Sequence, residues 1–204
     1  MSQPRIEAIL LAAGESRRMG YPKPLLMAGG ETFIARTVAM CLTVADRVVV
    51  VLGAHADRVW PAVPRDTRVS IVANPHFDRG QLSSLKVGLA QVAQGHADAA
   101  LVHLADHPLV APATFGALAA EYARSGRPIA IARDHGRRGH PVIFARALFS
   151  ELAAAAEDQG ARVVVNADPA RVAYLEVEDP GVVLDLDTPA DLLSAGLGLP
   201  PHGD

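Results

Sequence analysis

Residues 5–26 read RIEAILLAAGESRRMGYPKPLL, and the fold follows from how that stretch changes character. Arg5–Ala12 is a short apolar run on both faces, the pattern of a strand buried within a parallel sheet. The run stops at Gly14, after which Arg17, Arg18 and Lys23 place three cations within seven residues. Gly14 and Gly20 let the backbone turn tightly and approach a ligand closely. Backbone amides and fixed cations at a strand end suit a polyphosphate. Neither GxxxxGK[ST] nor GxGxxG occurs, so the string alone fits a solvated basic loop as well as a phosphate site.

The same unit of apolar run and polar loop recurs along the chain. The runs Arg47–Leu52, Arg68–Ala73, Ala99–Leu104, Pro128–Ala132, Pro141–Phe144, Arg171–Glu176 and Val182–Leu186 predict further strands. Alanine-rich amphipathic stretches predict helices over Thr32–Leu42, Leu82–Gln94, Pro112–Ser125, Arg146–Glu157 and Pro189–Ala195. Pro112 and Pro189 suit a first helical turn, and Thr188 is a natural N-cap. Alternation of this kind predicts an α/β fold with a mostly parallel sheet between helices. No linker, repeat or low-complexity segment divides the chain. Residues 1–195 are expected to form one domain, and the Gly- and Pro-bearing residues 196–204 a flexible tail. Ligands in such sheets sit beyond the carboxyl ends of the strands, so the polar residues that follow each strand are the candidates for function.

Composition narrows the function classes. The chain has 204 residues, half of them hydrophobic and only 20% charged, which excludes intrinsic disorder. A net charge of -3 argues against a nucleic-acid partner, which calls for a basic stripe. Cys41 is the only cysteine, so neither an internal disulfide nor a cysteine-based zinc cluster is possible. The opening MSQPRIEAILLAAG lacks the basic n-region of a signal peptide, and no apolar stretch reaches the length of a membrane span. The expectation is a cytoplasmic protein with no membrane partner.

Four further strings carry chemistry. Leu104–Pro108, LADHP, puts Asp106 just past a strand, where a carboxylate suits a hard cation such as Mg²⁺; it equally fits a turn cap before Pro108. His107 reads as a structural or solvated histidine. In Asp185–Leu192, DLDTPADL, Asp185 and Asp187 share a face if the segment is a strand. One of them then joins Asp106 at a cation, or both serve to cap a helix. Gly80–Leu89, GQLSSLKVGL, offers the Ser83 and Ser84 hydroxyls to a ribose or base, although Ser83 also fits an ordinary N-cap. Arg133–Phe144, RDHGRRGHPVIF, crowds Arg133, Arg137, Arg138, His135 and His140 around two glycines. It reads as a cationic loop for an anionic acceptor or as a mobile surface loop.

Together, and in this order, LAAGESRRMGYPK, GQLSSLKVGL, LADHP, RGHPVIF and DLDTPADL resemble the molybdenum cofactor nucleotidyltransferases, most closely the cytidylyltransferase branch. Each string is weak alone, but the ordered set spans Leu11 to Leu192. The resemblance implies a three-layer Rossmann-like nucleotidyltransferase fold. It also implies Mg²⁺- or Mn²⁺-dependent transfer of CMP from CTP to the phosphate of a molybdopterin-type acceptor, releasing pyrophosphate. On that pattern Leu11, Ala12, Ala13, Gly14 and Arg17 wrap the triphosphate, with Ser83 and Ser84 on the base and ribose side. Arg18, Lys23 and Asp106 act at the reacting phosphate. Asp106 with Asp187 or Asp185 holds the metal, and Arg138, Gly139 and His140 meet the acceptor. An apo-molybdoenzyme receiving the product is a further implied partner. Ala13 stands where guanylyltransferase relatives typically carry glycine, and its Cβ crowds the approach of a larger purine, which favours CTP. Leu82 replaces a usual serine, and Glu157 in Glu157–Arg162, EDQGAR, replaces a usual glycine. Two rivals remain: transfer to another phosphorylated acceptor, such as a sugar phosphate or methylerythritol phosphate, and a non-catalytic module that delivers cofactor to a partner enzyme.

Overall fold

In the computed structural model, which describes residues 3–199, the chain opens with strand β1 (Ile6–Ala12), followed by a small hairpin of β2 (Met27–Ala28) and β3 (Glu31–Thr32). Then come α1 (Phe33–Cys41), β4 (Arg47–Leu52), α2 (Ala56–Val59), β5 (Val69–Ala73), α3 (Gln81–Ala93), β6 (Ala99–Leu104) and α4 (Pro112–Ser125). The rest comprises β7 (Ile129–Asp134), β8 (Arg137–Ala145), α5 (Phe149–Ala154), α6 (Arg162–Asn166), β9 (Val172–Val177) and α7 (Pro189–Ser194). Seven strands form one sheet in the order β5-β4-β1-β6-β8-β7-β9. Every pairing is parallel except those of β8, which runs antiparallel to both β6 and β7.

Alternation along β1 explains the three layers. Ala8, Leu10 and Ala12 point to one side and are buried with Ile34 and Val38 of α1 and Phe115 and Leu118 of α4. Ile9 and Leu11 point to the other and are buried with Leu82, Leu85 and Leu89 of α3 and Leu152 of α5. Helix α3 lies unusually close to the sheet: a Cβ on Gly88 would fall 2.4 Å from Ile9 Cγ2. The chain lays β4 and β5 on one side of β1 and then crosses to lay β6 on the other. Strand order therefore reverses between β1 and β6, and in open α/β sheets the crevice at such a reversal is where ligands bind.

Two segments depart from the sequence reading. Val182–Leu186 is not a strand: Pro180–Val183 is a 3₁₀ turn, and the residues after it join no ladder. The Asp179 carboxylate fixes that turn, accepting from Gly181 N at 3.1 Å, Ala111 N at 2.9 Å and Thr114 Oγ1 at 2.6 Å. The apolar pattern was a burial signal, and β9 already occupies the place beside β7. The strand expected at Pro141–Phe144 is present but begins earlier, and Arg133–His140, read as a loop, belongs largely to a strand pair. His135 and Gly136, with φ of 47° and 76°, make a two-residue turn between β7 and β8. Arg137, Arg138, Gly139 and His140 therefore lie on β8. The expected helix over Arg146–Glu157 is a 3₁₀ turn at Arg146–Leu148 followed by α5, which ends at Ala154. Of the expected tail, Leu197 donates its amide to Leu192 O at 2.8 Å and packs beside Leu186 and Leu192; residues 200–204 lie outside the described residues.

Candidate active site

The loop after β1 is shaped around Ser16, whose φ is 53°. Its carbonyl accepts from Met19 N at 3.0 Å and Gly20 N at 3.1 Å, and its hydroxyl accepts from Lys23 N at 3.0 Å. The chain thereby doubles back and carries Lys23 over the strand ends. Among the described residues, no protein acceptor takes the amides of Gly14 or Glu15, which leaves donors for an anion. Arg17 turns outward onto Glu15, while Arg18 Nη2 donates to Asp187 Oδ2 at 2.6 Å.

Lys23 joins the two ends of the chain. Its ammonium donates to Asp106 Oδ2 at 2.5 Å and to Asp187 Oδ1 at 2.8 Å, and its side chain is only 13% exposed. Burial pulls the Lys23 pKa down, but Asp106 and then Asp187 outweigh it and hold the net value above the usual lysine range. Asp187 is held below the usual carboxylate range, chiefly by the Lys23 hydrogen bond and also by Arg18. Three charged side chains from positions 23, 106 and 187 thus meet at the β1/β6 crevice.

Helix α7 explains why Asp187 is free for this. Thr188 accepts from Asp191 N, and Asp191 Oδ2 accepts from Thr188 N at 2.7 Å and Asp187 N at 3.1 Å. This is a capping box, so Thr188 and Asp191 cap the helix. Asp185 goes elsewhere. Largely exposed, it lies 3.2 Å from His107 Nε2, and the structure does not bring it to Lys23. Asp106 and Asp187 are the two hard-oxygen donors that converge, and they do so on a cation already, the Lys23 ammonium. One or two carboxylates with open positions for phosphate oxygens fit a hard divalent ion, so the donor chemistry suits Mg²⁺ or Mn²⁺.

Two cavities adjoin at Leu11, Gln81 and Leu104. The first, about 370 Å³, is bounded by Leu11–Ser16, Lys23, Asp106, Phe77, Asp78 and Ser84. Ser83 and Ser84 are buried, and Asn74 Nδ2 donates to both hydroxyls, at 2.9 and 3.0 Å. Ser83 also donates within the 76–80 turn, to His76 O and Gly80 O, so it fixes that turn while Ser84 lines the cavity. Gly80, with φ 97°, occupies the N-cap position of α3 that Ser83 was a candidate to fill. Ala13 faces Gly53: a Cβ there would lie 2.6 Å from Ala13 O, 2.8 Å from Ala13 Cβ and 2.7 Å from Phe77 Cβ.

The second cavity, about 630 Å³, has an apolar floor of Leu82, Val102, Ile131 and Phe144. Arg138, Gly139, His140 and Asp185 line it, together with the 157–162 loop. Arg138 is held by Asn166 Oδ1 at 2.8 Å, with its guanidinium over the Tyr174 ring. Gly139 is a packing requirement, since a Cβ would fall 1.9 Å from Val182 O. Burial, and then the neighbouring His107, push His140 down to about 4, so it is neutral at pH 7. Sequence reasoning missed Gly53 and Asn74, although each directly follows a strand, β4 and β5 respectively.

A parallel-sheet crevice holding free loop amides, a Lys23–Asp106–Asp187 cluster and two joined cavities defines a nucleotidyltransferase of Rossmann-like fold. The chain belongs to the MobA-like NTP transferase domain family, which matches residues 8–172. It is 30% identical over 199 residues to the purine catabolism protein PucB of Bacillus subtilis, covering 94% of this chain and 96% of that protein. It is 24% identical over 191 residues to the molybdenum cofactor cytidylyltransferase of Escherichia coli, covering 93% and 95%. The crystal structure of Rv0371c from Mycobacterium tuberculosis superposes with a TM-score of 0.79 at 33% identity, covering 95% of this chain and 98% of that one. Rv0371c has also been solved as a complex with manganese, with a TM-score of 0.75 at 31% identity, covering 93% and 97%. The likeness to molybdenum cofactor nucleotidyltransferases read from the sequence therefore stands, and the chain is an enzyme.

Proposed function

We propose that this enzyme transfers CMP from CTP to the terminal phosphate of a molybdopterin-type acceptor, releasing pyrophosphate. The observation that carries the reading is the junction of the two cavities beside the Lys23–Asp106–Asp187 cluster. A nucleotide in the first cavity and a phosphorylated, largely planar molecule on the apolar floor of the second meet there. The acceptor phosphate is already an anion at neutral pH, so one of its oxygens attacks the α-phosphorus without an activated serine or cysteine. The new bond is from that oxygen to the α-phosphorus, and the α–β bridging bond breaks. Catalysis is then positioning and charge neutralisation. Gly14 and Glu15 amides hold the triphosphate, Lys23 and Arg18 neutralise charge on the α-phosphate and leaving group, and Arg138 draws in the acceptor.

Asp106 and Asp187 would hold a divalent cation, Mg²⁺ or Mn²⁺, which supplies Lewis-acid polarisation of the phosphates. The manganese complex of Rv0371c supports that choice of ion class. Ala13 lines the first cavity, and a Cβ there in place of glycine's hydrogen supports the smaller base. No helix among the described residues is long and apolar enough to cross a membrane, and the proposed reaction is placed in the cytoplasm with an apo-molybdoenzyme as the recipient of the product.

The test is pyrophosphate release with each of the four nucleoside triphosphates, with and without molybdopterin, a sugar phosphate or methylerythritol phosphate. Turnover with CTP and molybdopterin, at least tenfold above GTP, is the expected result. Equal use of GTP overturns the base assignment; turnover only with another phosphorylated acceptor overturns the acceptor.

A further inference from the structure

Glu157 sits in the one string of the acceptor side that departs from the family pattern, and its surroundings show what it does. Its carboxylate forms an ion pair with Arg79, Oε2 lying 2.7 Å from Nε, and its Oε1 lies 3.9 Å from Lys86 Nζ. Lys86 in turn donates to Ala155 O at 2.8 Å. Arg79 ends the 3₁₀ turn Phe77–Arg79, whose Phe77 and Asp78 wall the nucleotide cavity, whereas Arg79 itself is not part of that wall. Residues 157–162 wall the other cavity. One carboxylate, 19% exposed, therefore ties the segment that touches the nucleotide to the segment that covers the acceptor.

We propose that the Arg79–Glu157–Lys86 cluster is a latch by which nucleotide binding orders the acceptor loop, and that Glu157 is a positioning residue for the acceptor. This rests on the assignment of the first cavity to the nucleotide. Filling that cavity fixes the 77–80 turn, the turn fixes Arg79, and Arg79 holds the loop through Glu157. By linkage, acceptor binding then tightens nucleotide binding by the same factor. Neither Arg79 nor Glu157 meets the nucleotide, so the latch acts on the coupling between the sites and leaves the nucleotide site itself intact.

The experiment is hydrogen exchange on the full chain with CTP and Mg²⁺, alongside steady-state kinetics. In the wild type, CTP slows exchange over both 74–84 and 155–162. In Glu157→Gln, and equally in Arg79→Gln, protection persists over 74–84 and is lost over 155–162. The CTP dissociation constant without acceptor stays within about twofold, while the acceptor KM rises about fivefold or more, the low end of typical couplings, because Arg79 is well exposed. The double variant is no worse than either single one, as expected for partners in one interaction. A purely structural role would lower kcat and stability together without splitting the two protected segments. Unchanged protection of 155–162 in Glu157→Gln overturns the latch while leaving the function untouched. CTP protection with no turnover on molybdopterin overturns the acceptor assignment and leaves the latch to stand on exchange. Absence of CTP protection at both segments in the wild type overturns the nucleotide assignment and the latch with it.

Discussion

Lys23 neutralises two carboxylates that would otherwise repel each other across the crevice, and this separates what holds the site together from what the site does. Removing Asp106 leaves Lys23 its bond to Asp187 and leaves Arg18 on the other oxygen of Asp187. Lys23 is largely buried, but it keeps a carboxylate partner, so no unpaired buried charge is left and the cost in stability is small beside the cost in rate. A carboxylate and ammonium aimed at a reacting phosphate are worth far more to the rate, on the order of 10²–10³ per group. Asp106→Ala is therefore expected to lower metal-dependent pyrophosphate release by about 100-fold or more, with the urea midpoint close to that of the wild type. Turnover and equilibrium unfolding, measured on the same preparation, check this. A variant that loses stability and keeps its rate would make Asp106 a pin for Lys23 and nothing more. The sequence showed the residue types here and their places after strands. It could not show which aspartate of DLDTPADL turns to Lys23, because that depends on the Thr188–Asp191 box and on a segment that is no strand.

At the scale of elements, close approach decides where the cavities lie. The loop after β1 touches the start of the loop after β4, where Gly53 leaves no room for a side chain beside Ala13 and Phe77. The φ of Gly53 is not in the left-handed region, so an added methyl acts through packing alone. Gly53→Ala is expected to displace Phe77 into the nucleotide cavity, at a stability cost of about 1–3 kcal/mol, the usual range for overpacking. The expected signature is a CTP dissociation constant raised about tenfold or more (~1.4 kcal/mol), read by calorimetry, with the acceptor KM much less affected. A variant with wild-type CTP affinity would place the nucleotide away from Phe77. Strands β1, β4 and β6 were legible because their apolar runs are buried on both faces between helices. Val182–Leu186 was misread for the same reason, since burial against β8 gives the apolar pattern of a strand without its ladder. Helix α6 was not foreseen, being a single short turn with Val164 as its buried anchor.

At the scale of the whole molecule, the sheet carries a feature that sets how the fold responds to acid. His103 on β6 is fully buried on the α4 side, 5.0 Å from the Phe115 ring, and its Nδ1 has no partner. Burial, and then the neighbouring His140 and His107, hold it well below the usual histidine range. His140 on the adjacent strand is likewise lowered, to about 4. Unfolded, both imidazoles take up a proton near pH 6.5. Because the folded values lie below the unfolded one, the stability these groups support is intact above about pH 6.5 and drains away as pH falls toward 4. Each proton contributes at most about 1.4 kcal/mol per pH unit. That is a large slope against a typical total of about 5–15 kcal/mol, and it is set chiefly by burial in the core, with Asp106 opposing the shift at His140. Unfolding free energies by urea at pH 7, 6, 5 and 4.5 in EDTA should fall steadily below pH 6.5. His103→Leu removes one titrating site and its unpartnered nitrogen from an apolar wall. Its slope is expected to be shallower by about one proton, and at pH 5 it should be the more stable protein. Parallel curves for the two proteins would mean that His103 takes up its proton in the folded state, and that the β6–α4 wall admits the water its burial excludes.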